Sequence, residues 1–400
     1  MIYNKSTDKV LNQIAKDEGF TDYKICSYGQ ISKGQGLTGE LYFVNIKSED
    51  NIKQLELLIK EATKIKKIRD YFPVNALYKN EALFYNIIWP KFTNLQQDVM
   101  GKMIFDNVPK CYGSEIKPGE ECIVLENLRS QGFETFPKSE YLDKKMLEMI
   151  FKKYGELHAL SFAYKMKDST SFEITCGQLI PYWTGAKNII PLKVSIQTLF
   201  QKCVSYTSKY NSKLQSKMEK INENPLDAFI DSNYYKGKYG VLLHGDCWSN
   251  NMMFQFDSSR NPIDMKFIDF QVCQVGSPVF DLAYSFYSGG SEEIFNELDH
   301  FLEIYSKSLS DMCQQLNCNK YISLDELKIE WKEYSKFGWI MALIILTAKL
   351  VKDETNLDLL VMLNEFEKRN YEAHLEASDE DEIEKRTMSI LNHLDKCGYL

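Results

Sequence analysis

The sequence lacks the usual signs of a secreted, membrane-spanning or nucleic-acid-binding protein. Its first 20 residues carry charges throughout and contain no apolar segment of the kind found in signal peptides. The longest apolar run, residues 339–348, is too short to cross a bilayer and is typical of a buried helix. A net charge of −8 gives no general attraction to nucleic acid or anionic membranes. We therefore expect a cytoplasmic protein without nucleic-acid or membrane partners, and the sequence predicts no particular protein partner.

Several catalytic and metal-binding signatures are also missing. The ten cysteines form no CxxC pair, and Cys313 and Cys318 have no accompanying histidine with which to bind zinc. The cysteines are therefore expected to be reduced thiols. Neither the GxSxG motif of serine hydrolases nor the HExxH motif of zinc proteases occurs. The 400 residues are enough for two or three domains or lobes with a substantial core.

Residues 241–270 contain three polar side chains at the ends of short apolar segments. Asp246 follows the apolar residues 241–243 through a His-Gly turn. Asn251 precedes and Asp269 follows the two strands of a predicted hairpin. This arrangement suits carboxylate and amide groups that must meet a hydroxyl and a metal-bound phosphate together.

A glycine-rich segment near the N-terminus matches the pattern GxGxxG at Gly34, Gly36 and Gly39. Dinucleotide-binding loops share this sequence pattern, but a helix follows them. Here strands are predicted on both sides, at residues 23–28 and 41–46. A glycine loop between antiparallel strands is typical of kinases, in which backbone N–H groups approach phosphate oxygens. A flexible hairpin without a ligand is the alternative.

Lys60 and Glu81 are candidates for an ion pair that directs an amine toward phosphates. Lys60 ends a third predicted strand, and Glu81 lies on a helix predicted over residues 80–88, which should stop at the following Trp-Pro pair. A solvated lysine and an exposed glutamate are the alternatives. Lys47, which ends the second strand, is a rival for the lysine position.

The rest of the chain is predicted to be mainly helical. Strand 122–125 leads into a polar connector beginning at Glu126, where a kinase backbone would bind adenine. A long helix follows and carries His158, for which we expect a structural role. Asp281 is expected to cap a helix or to brace the loop of Asp246. The charge run at residues 379–386 is expected to be a solvated face.

These motifs together resemble a known family of phosphotransferases. The pattern HGDxxxxN followed by IDF, at residues 244–251 and 268–270, resembles that of aminoglycoside and choline kinases. The longer segments HGDCWSNNMMFQFD and FIDFQVCQVGSPVFDLAY resemble the ecdysteroid kinase-like family, also called CHK kinase-like. The resemblance extends over about residues 20–350, in the expected order.

The resemblance implies an α+β, two-lobed protein-kinase-like fold. Residues 1–126 would form an N-lobe around an antiparallel sheet, and residues 127–400 a mainly helical C-lobe. The metal motif reads Asp-Phe-Gln rather than Asp-Phe-Gly. The activation switching of protein kinases is therefore not implied.

The resemblance also implies a role for each candidate residue, with ATP and Mg²⁺ as cofactors. Asp246 would orient an acceptor hydroxyl and take its proton, while Asn251 and Asp269 would ligate Mg²⁺. His244 would brace the loop rather than act as a base. Trp248 would either line the acceptor site or serve packing. The residues expected to bind the nucleotide are Gly34, Gly36, Gly39, Lys60, Glu81, Glu126 and Leu128.

The implied function is that of an ATP-dependent O-kinase acting on a hydroxylated small molecule. Ecdysteroids are the named precedent, and a related steroid or xenobiotic alcohol fits equally. The 24 tyrosines and 23 phenylalanines suit a hydrophobic acceptor but do not identify it. Two alternatives stay open: a choline- or aminoglycoside-type kinase with a cationic substrate, and a catalytically silent binding protein with a kinase fold.

Overall fold

The computed structural model describes residues 3–30, 38–50, 52–351, 363 and 378–400. The α-helices within this part of the chain are α1 Lys5–Asp17, α2 Lys66–Tyr71, α3 Val74–Leu83, α4 Trp89–Met100, α5 Lys144–Lys167, α6 Ser169–Cys176, α7 Ile190–Tyr210, α8 Ser212–Asn222, α9 Pro225–Ser232, α10 Pro278–Gly289, α11 Glu292–Phe295, α12 Leu298–Gln315, α13 Leu324–Lys349 and α14 Glu380–Cys397. The strands are β1 Tyr23–Gln30, β2 Gly39–Ser48, β3 Gln54–Ala62, β4 Cys111–Glu115, β5 Cys122–Glu126, β6 Glu134–Thr135, β7 Val241–Leu243, β8 Met252–Phe256, β9 Pro262–Phe267 and β10 Gln274–Gly276.

The N-terminal region contains a five-stranded antiparallel sheet with the strand order β1-β2-β3-β5-β4. Its outer face is covered by α1, which inserts Leu11 and Ile14 into a small apolar cluster with strand residues. The side chain of Asn4 caps α1 by accepting a hydrogen bond from the Thr7 N–H. Strand β3 lies inside the sheet, between β2 and β5. Lys60 is therefore held on both sides by strand pairing.

The helix that carries Glu81 does not stop where the sequence predicted. Helix α3 continues through a π-helical turn, Phe84–Ile88, directly into α4. Pro90 lies in the first turn of α4 and does not break the helix. The turn before it is π-helical, with the Trp89 N–H bonded to the Phe84 carbonyl, and this wider turn accommodates a residue that has no N–H to donate. The predicted end at the Trp-Pro pair was wrong for this reason.

The C-terminal part is mainly helical, and with the antiparallel sheet it confirms the predicted α+β class. Helix α13 packs along α10, and α12 packs along α5. The apolar run at residues 339–348 lies in α13, and its first five residues are fully or almost fully buried, as predicted. In the described part of the chain, no helix is both long and apolar enough to span a membrane.

The charge run at residues 379–386 is less exposed than the sequence predicted. It begins α14, in which Ile383 and Arg386 are buried. Glu380 forms an ion pair with Lys202 on α7 and accepts a hydrogen bond from the Tyr206 hydroxyl. The helix therefore turns one face inward, because spacing at three and four residues brings its apolar side chains to one side.

Two small sheets bring the ends of the polar segments together. In the hairpin of β8 and β9, Met252 pairs with Phe267, so Asn251 and Ile268 lie side by side at its end. The Ile268 N–H donates to the Asn251 carbonyl at 3.0 Å. Strand β7, which leads to Asp246, pairs with β10 rather than with this hairpin. The loop after β7 and the end of the hairpin thus form one candidate site.

All ten cysteines lie among the described residues, and each is a free thiol. Seven of them are buried, including Cys313 and Cys318. This agrees with the expectation of reduced cysteines.

Candidate active site

The turn that presents Asp246 depends on Gly245. This residue has φ +85°, a left-handed conformation that favours glycine, and a side-chain Cβ there would lie 2.4 Å from the carbonyl oxygen of Val272. Both the backbone angle and the close approach therefore require a residue without a side chain. The turn ends β7 sharply and exposes the next residue, Asp246.

The buried carboxylate of Asp281 binds the backbone of this loop. Its oxygens accept the backbone N–H groups of His244 at 2.7 Å and of Gly245 at 3.0 Å. His158 contacts the same carboxylate at 3.3 Å, and its other ring nitrogen lies 3.1 Å from the Tyr305 hydroxyl. Burial alone would raise the pKa of Asp281, but His158 and the hydrogen bonds lower it below its ordinary value. The bracing role expected for Asp281 is confirmed by these contacts, while the N-cap of α10 is Ser277.

Asp246 is held at both carboxylate oxygens. The Tyr284 hydroxyl donates to Oδ1 at 3.1 Å, and the Asn251 side-chain amide donates to Oδ2 at 2.7 Å. The surrounding protein raises the pKa of Asp246 to about 7, by burial first and then by the negative charge of Asp269. The hydrogen bonds from Tyr284, Asn251 and Trp248 act in the opposite direction. The carboxylate is therefore oriented, and its proton affinity is set near neutrality.

Lys60 forms ion pairs with two carboxylates. Its ammonium nitrogen lies 2.7 Å from Glu81 Oε2, so the expected pair forms, and 2.6 Å from Asp269 Oδ1. Burial lowers the pKa of Lys60, but Asp269 and Glu81 outweigh it and raise the pKa above its ordinary value. The side chains are 1% exposed at Glu81, 11% at Lys60 and 26% at Asp269. Asp269 is therefore the member of the group that faces outward and is accessible to a ligand.

The turn containing Asp269 is also fixed by packing. Asp269 itself has φ +70°, which is uncommon for a residue other than glycine and marks a constrained backbone. The next side chain, Phe270, is fully buried and stacks on Phe84 with ring centroids 3.6 Å apart. Phe84 follows the helix that carries Glu81. The ion-pair group is thus assembled by two elements that pack directly against each other.

The two predicted metal ligands fit Mg²⁺ in the chemistry of their donor atoms. Asn251 uses its amide nitrogen on Asp246, so its Oδ1 atom is the one that could face a cation. Asp269 directly follows Ile268, whose N–H bonds to the Asn251 carbonyl, and would supply carboxylate oxygens. In the described part of the chain, no three His, Cys, Asp or Glu side chains converge as a metal site. Mg²⁺ is usually held by one or two protein oxygens together with substrate phosphates, so a pair of ligands is what such a site needs.

The remaining nucleotide-binding predictions are only partly described. Gly34 and Gly36 lie outside the described residues. Gly39 begins β2, and a Cβ there would lie 2.2 Å from the Glu61 carbonyl oxygen. Glu126 donates its backbone N–H to the Lys110 carbonyl at 2.9 Å, so that group is not available to a base. Leu128 begins a 3₁₀-helix, whose first N–H groups have no intrahelical acceptor.

Comparison with known proteins identifies the family. The sequence model of the ecdysteroid kinase-like family matches residues 33–318, which is most of the chain and includes every candidate site residue. The chain belongs to the ecdysteroid kinase-like family. It is accordingly a small-molecule kinase-like protein. A search of curated proteins found no match.

In this member of the ecdysteroid kinase-like family, His244 is unsuited to act as a base. Burial lowers its pKa, which favours the neutral ring. Its Nε2 donates to the Ile268 carbonyl at 2.8 Å, and its Nδ1 accepts the backbone N–H of Asp246 at 3.2 Å. Both nitrogens are thus engaged in linking the Asp246 loop to the hairpin end, in agreement with the expected bracing role.

Sequence reasoning named Trp248 but missed two other aromatic side chains near Asp246, Tyr182 and Tyr284. Tyr284 is fully buried and bonds to the carboxylate from α10, 38 positions along the chain. The pKa of Tyr182 is raised by burial and by the charge of Asp246, so this ring also lies near the site. Trp248 is 9% exposed. The only sequence signal for Tyr284 was its place three residues after Asp281, which puts both side chains on one face of a helix.

Proposed function

We propose that this protein is an ATP-dependent O-kinase that transfers the γ-phosphate to a hydroxyl group of a hydrophobic small molecule. The acceptor would be an ecdysteroid or a related steroid or xenobiotic alcohol. The observation that carries the proposal is the proximity of two polar groups. Lys60 bridges Glu81 and Asp269, and Asn251 bonds to Asp246, whose pKa is raised by the charge of Asp269.

The proposed roles follow from how phosphoryl transfer is catalysed. The transition state is loose, so a protein contributes chiefly by positioning groups and by stabilising charge. Lys60 would contact the α- and β-phosphates, and its position is set by Glu81. Asn251 and Asp269 would hold Mg²⁺, which neutralises the phosphate charge when bound. Glycines 34, 36 and 39 would cover the phosphates.

Asp246 would orient the acceptor hydroxyl and accept its proton. A pKa of about 7 lies near the working pH, which suits a group that must take up a proton and release it again. Its two hydrogen bonds, from Tyr284 and Asn251, fix the direction of the carboxylate. A bound cation would stabilise the carboxylate form and thereby lower the pKa.

Aromatic side chains around Asp246 support a hydrophobic acceptor. Tyr182 and Trp248 bring large apolar surfaces close to the carboxylate. Flat rings of this kind suit apolar alcohols such as steroids. The adenine would bind at the connector of Glu126 and Leu128.

An acceptor screen tests the proposal. The protein is incubated with Mg²⁺ and ATP and with ecdysteroids, choline analogues, aminoglycosides and plant or drug alcohols in parallel, and products are detected by mass. We expect an added phosphate on hydrophobic alcohols. Phosphorylation confined to choline or aminoglycosides would replace the acceptor class with a cationic one. ATP binding without any phosphorylated product would favour a silent binding protein.

A further inference from the structure

A small cavity lies between α10, α13 and α14, at the opposite end of α10 from Asp281. The residues that line it carry the polar side-chain atoms Tyr287 Oη, Ser288 Oγ, Arg386 Nη1 and Ser389 Oγ. Each is buried and has no hydrogen-bond partner among the described residues. Buried polar atoms without partners are strongly disfavoured, so their convergence on one space points to an occupant that they bind. The central space holds about one occupant of the size of a water molecule.

Arg386 has its Nη1 donor left for the cavity, because Nε and Nη2 bind elsewhere. Its Nε donates to Glu382 at 2.8 Å, its Nη2 donates to the Ser139 carbonyl at 2.7 Å, and the guanidinium lies over the Tyr141 ring at 3.9 Å. The residue is only 7% exposed. Nη1 can donate but cannot accept, so its partner in the cavity must be an acceptor.

A buried lysine contacts the backbone of Ser288, one of the residues that line the cavity. Glu382 balances Arg386, but Lys349 is fully buried and donates to the Ser288 carbonyl at 2.6 Å. No described carboxylate lies within ion-pair distance of Lys349, and its pKa is lowered by burial and then by the charge of Arg386. The acidic side chains nearest on α11, at positions 292 and 293, are exposed to solvent. Among the described residues, the protonated form of Lys349 therefore has no carboxylate partner.

We propose that this cavity binds one small monovalent anion of the halide class, held by Arg386 Nη1 and by the hydroxyls of Ser288 and Ser389. An anion accepts from all three donors at once and supplies the missing negative charge. The small space excludes phosphate, sulfate and organic acids. Arg386 and Ser389 lie beyond the residues matched by the family, so the site does not follow from family membership.

Anion-dependent stability tests the proposal in solution. Thermal unfolding is followed while chloride replaces a bulky organic anion at constant ionic strength. The wild-type Tm should rise with chloride and keep rising without a plateau, as expected for a ligand that binds only the folded state. Ser389→Ala removes one donor and leaves the Arg386–Glu382 pair intact, and it should raise the chloride dissociation constant fitted to this rise about tenfold, which corresponds to one hydrogen bond. Ser195→Ala, which removes an exposed hydroxyl on α7, is the control and should behave as the wild type.

A bromide-soaked crystal tests the position of the ion. An anomalous peak within hydrogen-bond distance of Arg386 Nη1 and Ser389 Oγ would support the site. Density there without an anomalous signal would mean an ordered water only and would overturn the proposal. So would a chloride response that is absent in the wild type or unchanged in Ser389→Ala.

Discussion

At the scale of single residues, the account depends on how Asp246 is oriented. Tyr284 and Asn251 each bond to one oxygen of its carboxylate, so the carboxylate cannot rotate without losing a contact. A hydrogen bond to a charged group contributes about 1.5–3 kcal/mol, which is larger than a typical neutral one. Tyr284 is therefore a positioning residue for the proposed proton acceptor.

Removing the Tyr284 hydroxyl should impair turnover more than binding. We expect Tyr284→Phe to lower kcat by about tenfold or more while KM for MgATP stays nearly constant. Tyr235→Phe is the matched control, because its hydroxyl also donates to a carboxylate, that of Glu330, which has no hydrogen bond to Asp246. Equal losses of kcat in both variants would mean that Tyr284 acts only through general stability.

Asp269 should matter for nucleotide binding itself. We expect Asp269→Ala to weaken MgATP binding by roughly tenfold or more, since it removes a charged metal ligand and a partner of Lys60. Titration calorimetry with MgATP measures this change. Asp257→Ala, in the turn at the opposite end of the same hairpin, is the control. An affinity unchanged by Asp269→Ala would remove this residue from the metal site.

At the scale of elements, the loop after β7 is fixed by one glycine and one carboxylate. Gly245 permits both the left-handed backbone and the contact with Val272, while Asp281 binds the backbone of the loop. The family match covers these residues, whereas α1 lies before it and α14 after it. The loop is thus held by the part of the chain that the family shares.

Gly245→Ala should lower the stability of the protein by more than alanine in a left-handed conformation usually does. Gly119→Ala is the matched control: Gly119 has φ +84° and open space around its Cβ position, so only the backbone cost of about 1 kcal/mol applies. Gly245→Ala adds the clash at 2.4 Å and should lower Tm further and abolish turnover. Similar Tm values for the two variants would show that the loop adapts and that the close contact is unimportant.

The sequence predicted the elements that carry regular patterns, and it missed those that depend on context. Four of the five sheet strands were predicted from their apolar residues, but β4, Cys111–Glu115, was not, because each of its residues is partly exposed and it has no apolar run. The helix past Pro90 was missed because proline usually ends a helix, and the sequence did not predict the π-helical turn that accommodates it. The boundary between lobes at residues 126 and 127 stays a prediction.

The candidate site was also predicted only in part. Asp246, Asn251 and Asp269 follow from their places at strand ends, and Lys60 and Glu81 from a pattern shared by kinases. The contact between Lys60 and Asp269 joins residues 209 positions apart, and no local sequence pattern indicates it. The roles of all these residues stay predictions until activity is measured.

At the scale of the whole molecule, the buried Lys349 should make stability depend on pH. Burial and Arg386 lower its pKa from 10.5 to about 7 in the folded protein. Between these values the unfolded chain binds the extra proton, so folding becomes more favourable as pH rises from about 7 toward 10.5. Lys349 therefore favours folding most above 10.5 and least below about 7.

Denaturant unfolding of Lys349→Met tests this dependence. In a chloride-free buffer, the wild type should gain stability between pH 7 and pH 9 relative to the variant, which has no group to titrate there. The variant should be the more stable protein at pH 7, because an uncompensated buried charge is removed. Parallel stability curves for the two proteins over this range would contradict the assignment of a lowered pKa to Lys349.

The central claim is that Asp246 serves phosphoryl transfer from ATP to an acceptor hydroxyl. The most direct measurement compares wild type and Asp246→Asn for MgATP binding and for phosphate transfer to an acceptor found in the screen. The account predicts that nucleotide affinity is retained while transfer falls by about 10²–10⁴-fold, because the amide can orient a hydroxyl but cannot take its proton. Turnover by Asp246→Asn at the wild-type rate would contradict the account.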